Sequence, residues 1–302
     1  MKKITSVLMA GLLAAMTLAS CNSGDNSSSA ASAESSAASA AESSAAESSA
    51  EESSAETTAD LSGTVSMSGS TSMEIVAKAL GEAFTAVYPD VTVDVQLGGS
   101  STGIQNALEG VSDIGNVSRE LAEDETGLVP HEIALDGIAM AVNPANAVEN
   151  LTLDQIADIY TGEITNWSEV GGEDLEIYVV GREAGSGTRD AFEEIVGISD
   201  MASYDSEQTS TGSAKTTVAT TPGAIGYVSF DSIDDTVKTL TINDVAISTE
   251  TIQDGSYLLQ RPFLMVTKEG AELSDAVQAF LDYTLSEDGQ AVCEQVGLVP
   301  VQ

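Results

Sequence analysis

Hydrophobic positions from residue 64 onward follow two repeats, one typical of strands and one typical of helices. Short apolar runs predict strands at 64–68, 91–97, 136–143, 175–181 and 224–230. Helical spacing predicts helices at 72–88, 152–160, 187–197 and 271–285, with another that begins near Thr102. Because these strands and helices alternate, the pattern predicts an α/β fold with largely parallel sheets.

The first of these helices shows the pattern most clearly. Its apolar face is predicted to consist of five residues at three- and four-residue steps, Met73, Val76, Leu80, Phe84 and Val87. Pro89 is expected to end the helix.

Residues 1–20 have the pattern of a signal peptide. A basic start at Met1–Lys3 precedes an apolar stretch at 4–19, which is short for a transmembrane helix. The stretch ends in LASC, which resembles the bacterial lipoprotein signal, and Cys21 would then be the acylated first residue of the mature protein. The alternative is an ordinary secretory signal with an incidental cysteine.

Residues 21–60 are predicted to be a disordered tether. After Cys21 and Asn22 the composition is mainly Ser, Ala and Glu, with no aromatic residue. Such a segment cannot bury enough apolar surface to offset the loss of chain entropy on folding. We therefore expect the folded domain to stand away from the membrane on this tether.

The charge and cysteine content exclude several classes of protein. The chain carries 48 Asp and Glu against 10 Lys and Arg, with a formal net charge of −38, so nucleic acid is a poor partner. Its two cysteines, Cys21 and Cys293, give no disulfide framework. Cys293 is predicted to be a small buried residue on a C-terminal helix.

The few arginines point to a small anion. Arg182 and Arg189 flank the glycine- and hydroxyl-rich stretch 181–190, and Arg119 lies in 112–121. A guanidinium suits forked hydrogen bonding to oxyanions, although surface pairing with carboxylates is its usual role. Arg261 lies away from these loops, so we expect its substitution to affect stability more than binding.

Three loops share one layout, in which a strand leads through Gly, Ser and Thr into a helix, at 66–74, 96–104 and 180–190. Each following helix presents unpaired N–H groups that could hold an anion. The candidate ligand-binding residues in these loops are Ser70, Thr71, Ser72, Ser100, Arg182, Ser186, Gly187 and Thr188. An alternative that needs no ligand is helix capping, since Thr71-x-x-Glu74 and Thr102-x-x-Gln105 match capping boxes.

The order of these motifs resembles the phosphate-binding lipoproteins of bacterial ABC importers, in the form found in Gram-positive bacteria. The resemblance covers essentially all of 61–302 and also rests on 143–172, 220–230, 260–268 and 297–301. It implies a two-lobed, type II periplasmic-binding-protein-like fold with mixed, mainly parallel sheets and an anion held between the lobes. Lobe I would comprise 61–142 and 258–302, and lobe II would comprise 143–257.

The resemblance also implies the site. It assigns phosphate binding to the eight loop residues named above, and Arg119 is added as a ninth candidate. Many relatives place at the position read here as Arg119 an aspartate that accepts the proton of monohydrogen phosphate. In this chain the acceptor could be Glu120 or Asp113, or could be missing, so oxyanion binding is better supported than phosphate selectivity.

The predicted function is extracellular capture of inorganic phosphate by a lipid-anchored protein that delivers it to the transmembrane subunits of an ABC permease. No enzyme activity, cofactor, metal or nucleic-acid partner is expected. One alternative is specificity for sulfate or molybdate on the same scaffold. Others are a secreted serine hydrolase or phosphatase that uses Ser186, and a surface adhesin. Because His131 is the only histidine, a Ser-His-Asp triad would have to be built on that ring.

Overall fold

The computed structural model describes residues 61–301 of the chain. Its strands are β1 (Gly63–Ser70), β2 (Val91–Gly98), β3 (Ile114–Val117), β4 (Leu128–Val142), β5 (Asn150–Leu151), β6 (Tyr178–Arg182), β7 (Ser206–Gln208), β8 (Ala224–Ser229), β9 (Lys238–Thr239), β10 (Thr241–Ile242), β11 (Gln260–Lys268) and β12 (Val299–Pro300). Its helices are α1 (Glu74–Val87), α2 (Ser100–Glu109), α3 (Leu153–Thr161), α4 (Gly187–Val196), α5 (Thr211–Thr220), α6 (Thr249–Gln253), α7 (Asp275–Leu285) and α8 (Glu287–Gln295).

The main sheet is mixed. Its strands follow the order β2-β1-β3-β11-β4-β8-β6-β7. Pairing is parallel among β2, β1 and β3 at one end and among β8, β6 and β7 at the other. The long strands β11 and β4 lie between these ends and pair antiparallel with each other and with their outer neighbours. The predicted α/β fold with a mixed sheet is therefore confirmed.

Two hydrophobic cores flank these long strands. The first core is built from β1, α1, β3, α7 and α8, with Ile133 of β4 and Phe263 of β11. The second core is built from α3, α4, β6 and β8, with Met140 of β4 and with Leu259, directly before β11. Strand β4 thus runs from the first core at Ile133 to the second core at Met140, and β11 runs in the opposite direction from the second core at its start to the first core at Phe263.

Helix α1 shows why its sequence folds where it does. Val76, Leu80 and Phe84 are completely buried at helical spacing against the first core, as predicted. Val87 was placed on the same face, and that prediction is wrong, because its side chain is 45% exposed at the last turn. The helix ends there, since Tyr88 leaves the helical conformation and Pro89 follows.

The predictions for the C-terminal part and for the strand ends had mixed outcomes. Cys293 lies on α8, is completely buried in the first core and has a pKa raised by burial to about 11, which confirms the expected structural thiol. Strand β4 begins eight residues before the predicted run at 136, and the predictions omitted β3, β11 and α5 as elements. The start of β4 gave no strand pattern because Val129, Pro130 and Glu132 are all exposed and do not alternate with buried positions.

The predicted signal peptide, the acylated Cys21 and the tether lie outside the described residues. Among residues 61–301, none of the helices has the length and apolar character that crossing a membrane requires.

Candidate anion-binding site

The three predicted loops lie where strands end and helices begin. Ser70 ends β1, Gly98 ends β2 and Arg182 ends β6. A short 3-10 turn at Thr71–Met73 leads into α1, while α2 begins at Ser100 and α4 at Gly187. Because β1 and β2 are parallel, their two loops lie at the same edge of the sheet. The loop after β2 also meets the loop after β6, where Ser101 N donates to Gly185 O at 3.2 Å.

Buried hydroxyl groups from these loops converge on one another. The hydroxyl cluster consists of seven side chains, Ser70, Thr71, Ser72, Ser100, Ser118, Thr188 and Thr211, none more than 8% exposed. Ser72 Oγ lies 2.7 Å from Thr188 Oγ1 and 2.9 Å from Thr211 Oγ1. Because a hydroxyl both donates and accepts, such a cluster can turn its donors toward an anion.

Ser118 forms the second focus of the cluster. Ser70 Oγ donates to Ser118 Oγ at 2.7 Å, and Ser100 Oγ lies 3.3 Å from the same oxygen. Ser118 N donates to Ser100 Oγ at 3.1 Å, which fixes the end of β3 against the start of α2. The hydroxyl cluster therefore connects five separate segments of the chain.

The capping alternative does not account for Thr71 or Thr102. Ser70 caps the 3-10 turn through Ser72 N at 3.2 Å, and Thr71 Oγ1 instead accepts from Thr211 N at 3.2 Å. Thr102 lies inside α2, whose N-cap is Gly99. Capping does account for Ser186, whose hydroxyl accepts from Arg189 N at the start of α4.

The side chain of Arg182, at the end of β6 beside the second core, contacts the hydroxyl cluster. Its side chain is 2% exposed. One terminal nitrogen, Nη2, donates to Thr71 Oγ1 at 3.1 Å, and the other, Nη1, donates to Thr211 Oγ1 at 3.2 Å. Nε donates to the carbonyl of Gln208 at 3.1 Å, and Glu183 lies beside the guanidinium at 3.2 Å. A buried guanidinium thus faces hydroxyl groups on one side and a carboxylate on the other.

Neighbouring side chains hold the backbone of Arg182 in place. Arg182 N donates to Tyr227 Oη at 3.1 Å, and Arg189 Nη1 donates to Arg182 O at 3.0 Å. Arg189 is itself held by Glu193 and Glu207, each at 2.7 Å. Burial lowers and these two carboxylates raise the pKa of Arg189, with a net increase, so its charge is permanent.

Arg119 is the predicted site residue that the structure does not join to the hydroxyl cluster. Its Nε donates to Asp190 at 2.9 Å, and its two terminal nitrogens donate to Glu125 at 2.7 and 2.8 Å. The hydrogen bonds that Arg119 donates to Glu125 are the largest influence on the pKa of Arg119, and they raise it. The residue directly before it, Ser118, lies in the cluster instead, so the backbone at this loop places the hydroxyl where the arginine was expected.

Gly187 allows the closest approach within the site. A Cβ atom built on Gly187 would overlap Ser100 Oγ and would lie 2.8 Å from Ser118 Oγ. The backbone at the start of α4 can therefore touch the hydroxyl cluster only because this residue has no side chain.

The suggested proton acceptors lie outside the cluster. The Asp113 carboxylate accepts from Ser66 N at 2.8 Å, at the amino end of β3, whereas the cluster lies at the carboxyl end. Glu120 is exposed to solvent. Neither carboxylate faces the hydroxyl groups.

The two cluster residues that the sequence analysis missed are Ser118 and Thr211. Ser118 lies within the stretch 112–121 that drew attention to Arg119, where a hydroxyl next to an arginine was the available signal. Thr211 is the first residue of α5 and directly follows Ser210, the N-cap residue that forms a capping box with Ser213. That capping pattern could have located the helix start, but its proximity to Arg182 depends on the tertiary fold.

Comparisons with known proteins identify the family of this chain. Residues 53–288 match the family model described as a PBP superfamily domain. The phosphate-binding protein PstS of Bacillus subtilis is 36% identical over 246 residues, which cover 79% of this chain and 81% of that protein. This chain belongs to the PstS family of phosphate-binding proteins.

Solved structures of similar proteins include relatives at higher identity. A protein from Clostridium perfringens, assigned as a phosphate ABC transporter substrate-binding protein and solved with bound phosphate, is 46% identical with a TM-score of 0.77 and covers 80% of this chain and all of that one. An ABC-type phosphate transport receptor from Vibrio cholerae is 36% identical with a TM-score of 0.67 and covers 78% of this chain and all of that one. Membership of the PstS family agrees with the two-lobed periplasmic-binding-protein fold that the motifs implied.

The serine hydrolase alternative is not supported by the site of this PstS-family chain. His131 lies on β4, where its Nε2 is 3.3 Å from Thr267 Oγ1. Ser186 is committed to capping α4 through the backbone. A nucleophile requires a base within hydrogen-bond reach, and this pair does not provide one. Within residues 61–301, no cluster of three or more His, Cys, Asp or Glu side chains could hold a metal ion.

Proposed function

We propose that this chain captures inorganic phosphate outside the cell and delivers it to the transmembrane subunits of an ABC permease. The observation that carries the proposal is the buried guanidinium of Arg182, which donates to two hydroxyl groups of the cluster beside the starts of α1, α4 and α5. Helix starts and a guanidinium both favour a small oxyanion. The PstS relatives are named as phosphate-binding proteins, which favours phosphate among the oxyanions.

The binding residues proposed here combine the sequence candidates with two additions. They are Ser70, Thr71, Ser72, Ser100, Ser118, Arg182, Ser186, Gly187, Thr188 and Thr211. For Arg119 we propose a positioning role, because its guanidinium holds Asp190 in the first turn of α4 and Glu125 in the loop between β3 and β4. It would thereby fix the helix start rather than contact the anion directly.

The lobe boundaries are also part of this proposal. Lobe I would comprise 61–142 and 258–302, and lobe II would comprise 143–257. The grouping of buried side chains supports the outer parts of this division, since the first core draws on residues up to Ala134 and from Phe263 onward, whereas Met140 and Leu259 of the proposed lobe I pack in the second core. The phosphate would lie between the lobes and stabilise the conformation in which they touch.

Calorimetric titration with four anions tests the proposed ligand. We expect phosphate and arsenate to bind to the purified protein and sulfate and molybdate to bind at least about a hundredfold more weakly. Equal or tighter binding of sulfate or molybdate would support the alternative specificity on the same scaffold. Absence of binding by all four anions would overturn the proposed function.

The proposed location is the outer face of the cell membrane, with Cys21 carrying the lipid. We expect Cys21→Ser to release the protein into the medium with its phosphate affinity unchanged. The fraction in medium and membrane is measured by immunoblot against the wild-type protein. Retention of the variant on the membrane would contradict the lipid-anchor proposal.

A further inference from the structure

Asp231 is a buried carboxyl group without a hydrogen-bond partner in the described part of the chain. Both of its carboxyl oxygens are inaccessible to solvent and accept no hydrogen bond from residues 61–301. It follows β8 in a short 3-10 turn at Phe230–Ser232. A buried carboxylate without a partner is costly, so this group requires a physical explanation.

Asp231 lines a cavity that borders the hydroxyl cluster, while its carboxyl oxygens are covered by protein atoms. The cavity has a volume of about 310 Å³. Thr71, Ser72 and Thr211 line one part of it, and Asp231 and Lys215 line another. Asp231 is therefore placed where its charge acts on the region that we propose receives the anion.

A second buried carboxyl group, Asp136, lies next to Asp231. Asp136 is completely buried on β4, and its Oδ2 accepts from Arg261 Nε at 3.0 Å and from Arg261 Nη2 at 2.8 Å. Its Oδ1 accepts from Phe230 N at 3.2 Å. Two buried carboxyl groups thus share one buried cation, and only Asp136 receives its hydrogen bonds.

The other charged groups near Asp231 do not neutralise it. Lys215 of α5 donates to Asp234 at 2.7 Å and to the carbonyl of Ser232 at 2.8 Å. Glu74 of α1 lines the same cavity and adds a further carboxylate. Arg261 of β11 is committed to Asp136, and its Nη1 donates to Ser118 O at 3.0 Å. The hydroxyl of Ser229, at the end of β8, is also buried without a hydrogen-bond partner. A protonated Asp231 could donate a hydrogen bond to this hydroxyl.

We propose that Asp231 is a further specificity-determining residue of the anion site, which admits the anion in its neutral carboxylic acid form and opposes it when ionised. This inference rests on the proposed function. The acid form leaves the region beside the cavity free of an extra negative charge, and its O–H can donate to the buried hydroxyl of Ser229. Ionisation would place a like charge, poorly screened by solvent, beside the cavity that the anion enters.

The pKa of Asp231 places its change from the neutral acid to the ionised carboxylate near pH 8. Burial, followed by the negative charge of Asp136, raises the pKa of Asp231 from 3.8 to about 8. Burial also raises the pKa of Asp136, but Arg261 opposes that increase through its charge and its hydrogen bonds. Because Asp136 accepts two hydrogen bonds from Arg261 and one from Phe230 N while Asp231 accepts none, we assign the proton of this pair to Asp231.

Phosphate titrations of the wild-type protein and Asp231→Asn at about pH 6.5 and about pH 9.5 test the inference. The ionisation of phosphate itself changes the affinity of both proteins equally, so it does not affect the comparison between them. We expect the wild-type protein to lose about tenfold more affinity than Asp231→Asn across this interval. Calorimetry in buffers of different ionisation enthalpy should show proton uptake on binding above about pH 8 for the wild-type protein only.

Asp234→Asn is the matched control. Asp234 lines the same cavity and undergoes the same Asp-to-Asn substitution, but it is exposed, and its hydrogen bond from Lys215 lowers its pKa. It is ionised across the whole interval, so this variant should keep the wild-type pH dependence. An Asp231→Asn variant that keeps the wild-type pH dependence, or an Asp234→Asn variant that loses it, would overturn the inference. Absence of phosphate binding in all three proteins would instead overturn the proposed function, and the inference with it.

Thermal unfolding without ligand gives a readout that does not depend on binding. The folded protein holds a proton on Asp231 between pH 3.8 and about 8, whereas the unfolded chain releases it at the lower value. Stability from this group therefore falls as pH rises through that window and is constant above it. The melting temperature of Asp231→Asn should rise relative to the wild-type protein across the window, and a constant difference would overturn the neutral-acid assignment.

Discussion

Arg182 Nη2 donates a hydrogen bond to Thr71 Oγ1 at 3.1 Å across 111 positions of the chain. Thr71 follows β1, which packs into the first core, whereas Arg182 ends β6, which packs into the second core. The contact therefore joins the elements of the first core to the elements of the second core at the proposed phosphate site. Any anion that binds both side chains would hold the two groups together, which is how ligand binding favours a closed state.

Removing the guanidinium of Arg182 should weaken phosphate binding strongly. A hydrogen bond to a charged group contributes about 1.5–3 kcal/mol, so Arg182→Ala should lose at least about tenfold in affinity. Arg182→Lys should recover only part of this loss, because an ammonium keeps the charge but not the forked geometry. Isothermal titration with phosphate measures both effects.

Lys238→Ala is the control for the Arg182 variants. Lys238 lies on β9 and pairs with Glu149 at 2.6 Å, apart from the hydroxyl cluster, so its loss removes one positive charge without touching the site. The phosphate affinity of the Lys238→Ala protein should differ from that of the wild-type protein by less than about twofold, as expected for a screened surface charge. Equal losses for Arg182→Ala and Lys238→Ala in folded protein would contradict the role of Arg182.

Thr211→Val tests a residue that only the tertiary structure revealed. Thr211 Oγ1 accepts from Arg182 Nη1 and lies 2.9 Å from Ser72 Oγ, so valine leaves buried donors unpaired. We expect phosphate affinity to fall about five- to twentyfold. Thr217→Val on the same helix is the control, because its hydroxyl donates only to the carbonyl of Ser213. Similar affinities for both variants would exclude Thr211 from the site.

Gly187→Ala should obstruct the site sterically. The added methyl group would overlap Ser100 Oγ and crowd Ser118 Oγ, so the start of α4 could no longer reach the cluster. We expect phosphate affinity to fall by more than about tenfold, because a clash in a packed site costs about 1–3 kcal/mol. Gly197→Ala, at the carboxyl end of the same helix, adds a methyl group that meets no atom within 4 Å, so its phosphate affinity should stay at the wild-type level even though the positive φ of Gly197 makes the substitution destabilising. Tight phosphate binding by Gly187→Ala would show that the start of α4 need not approach the hydroxyl cluster this closely.

Arg261→Ala should destabilise the fold. Arg261 was expected to lie apart from the hydroxyl loops, but it is 3% exposed, pairs with Asp136 and donates to Ser118 O, so it is unsuitable as a binding control. Its loss leaves a buried carboxylate unpaired and should lower the free energy of unfolding by about 3–5 kcal/mol. Denaturant titration measures this change. The double variant Arg261→Met, Asp136→Leu should regain most of it, and a double variant no more stable than Arg261→Ala would contradict the explanation.

The hydrophobic pattern and loop chemistry determined much of this protein without reference to tertiary structure. Val76, Leu80 and Phe84 specify the buried face of α1 because helical spacing is a local property of the backbone. The loops around Ser70, Ser100 and Ser186 were recognisable because glycine and hydroxyl residues mark helix starts. For the same reason, sequence alone located most of the proposed site and indicated an anion.

Tertiary structure decided which side chains meet. Thr211 and Arg182 are 29 residues apart and contact each other only because α5 returns to β6. Ser118 and Arg119 are adjacent in sequence, yet one hydroxyl joins the cluster while the guanidinium turns to Glu125 and Asp190. The burial of Asp231 beside Asp136 likewise depends on how β4 packs against the end of β8. Local sequence sets backbone conformation and polarity, but side-chain direction, burial and electrostatic neighbours follow from long-range packing, which no local pattern encodes.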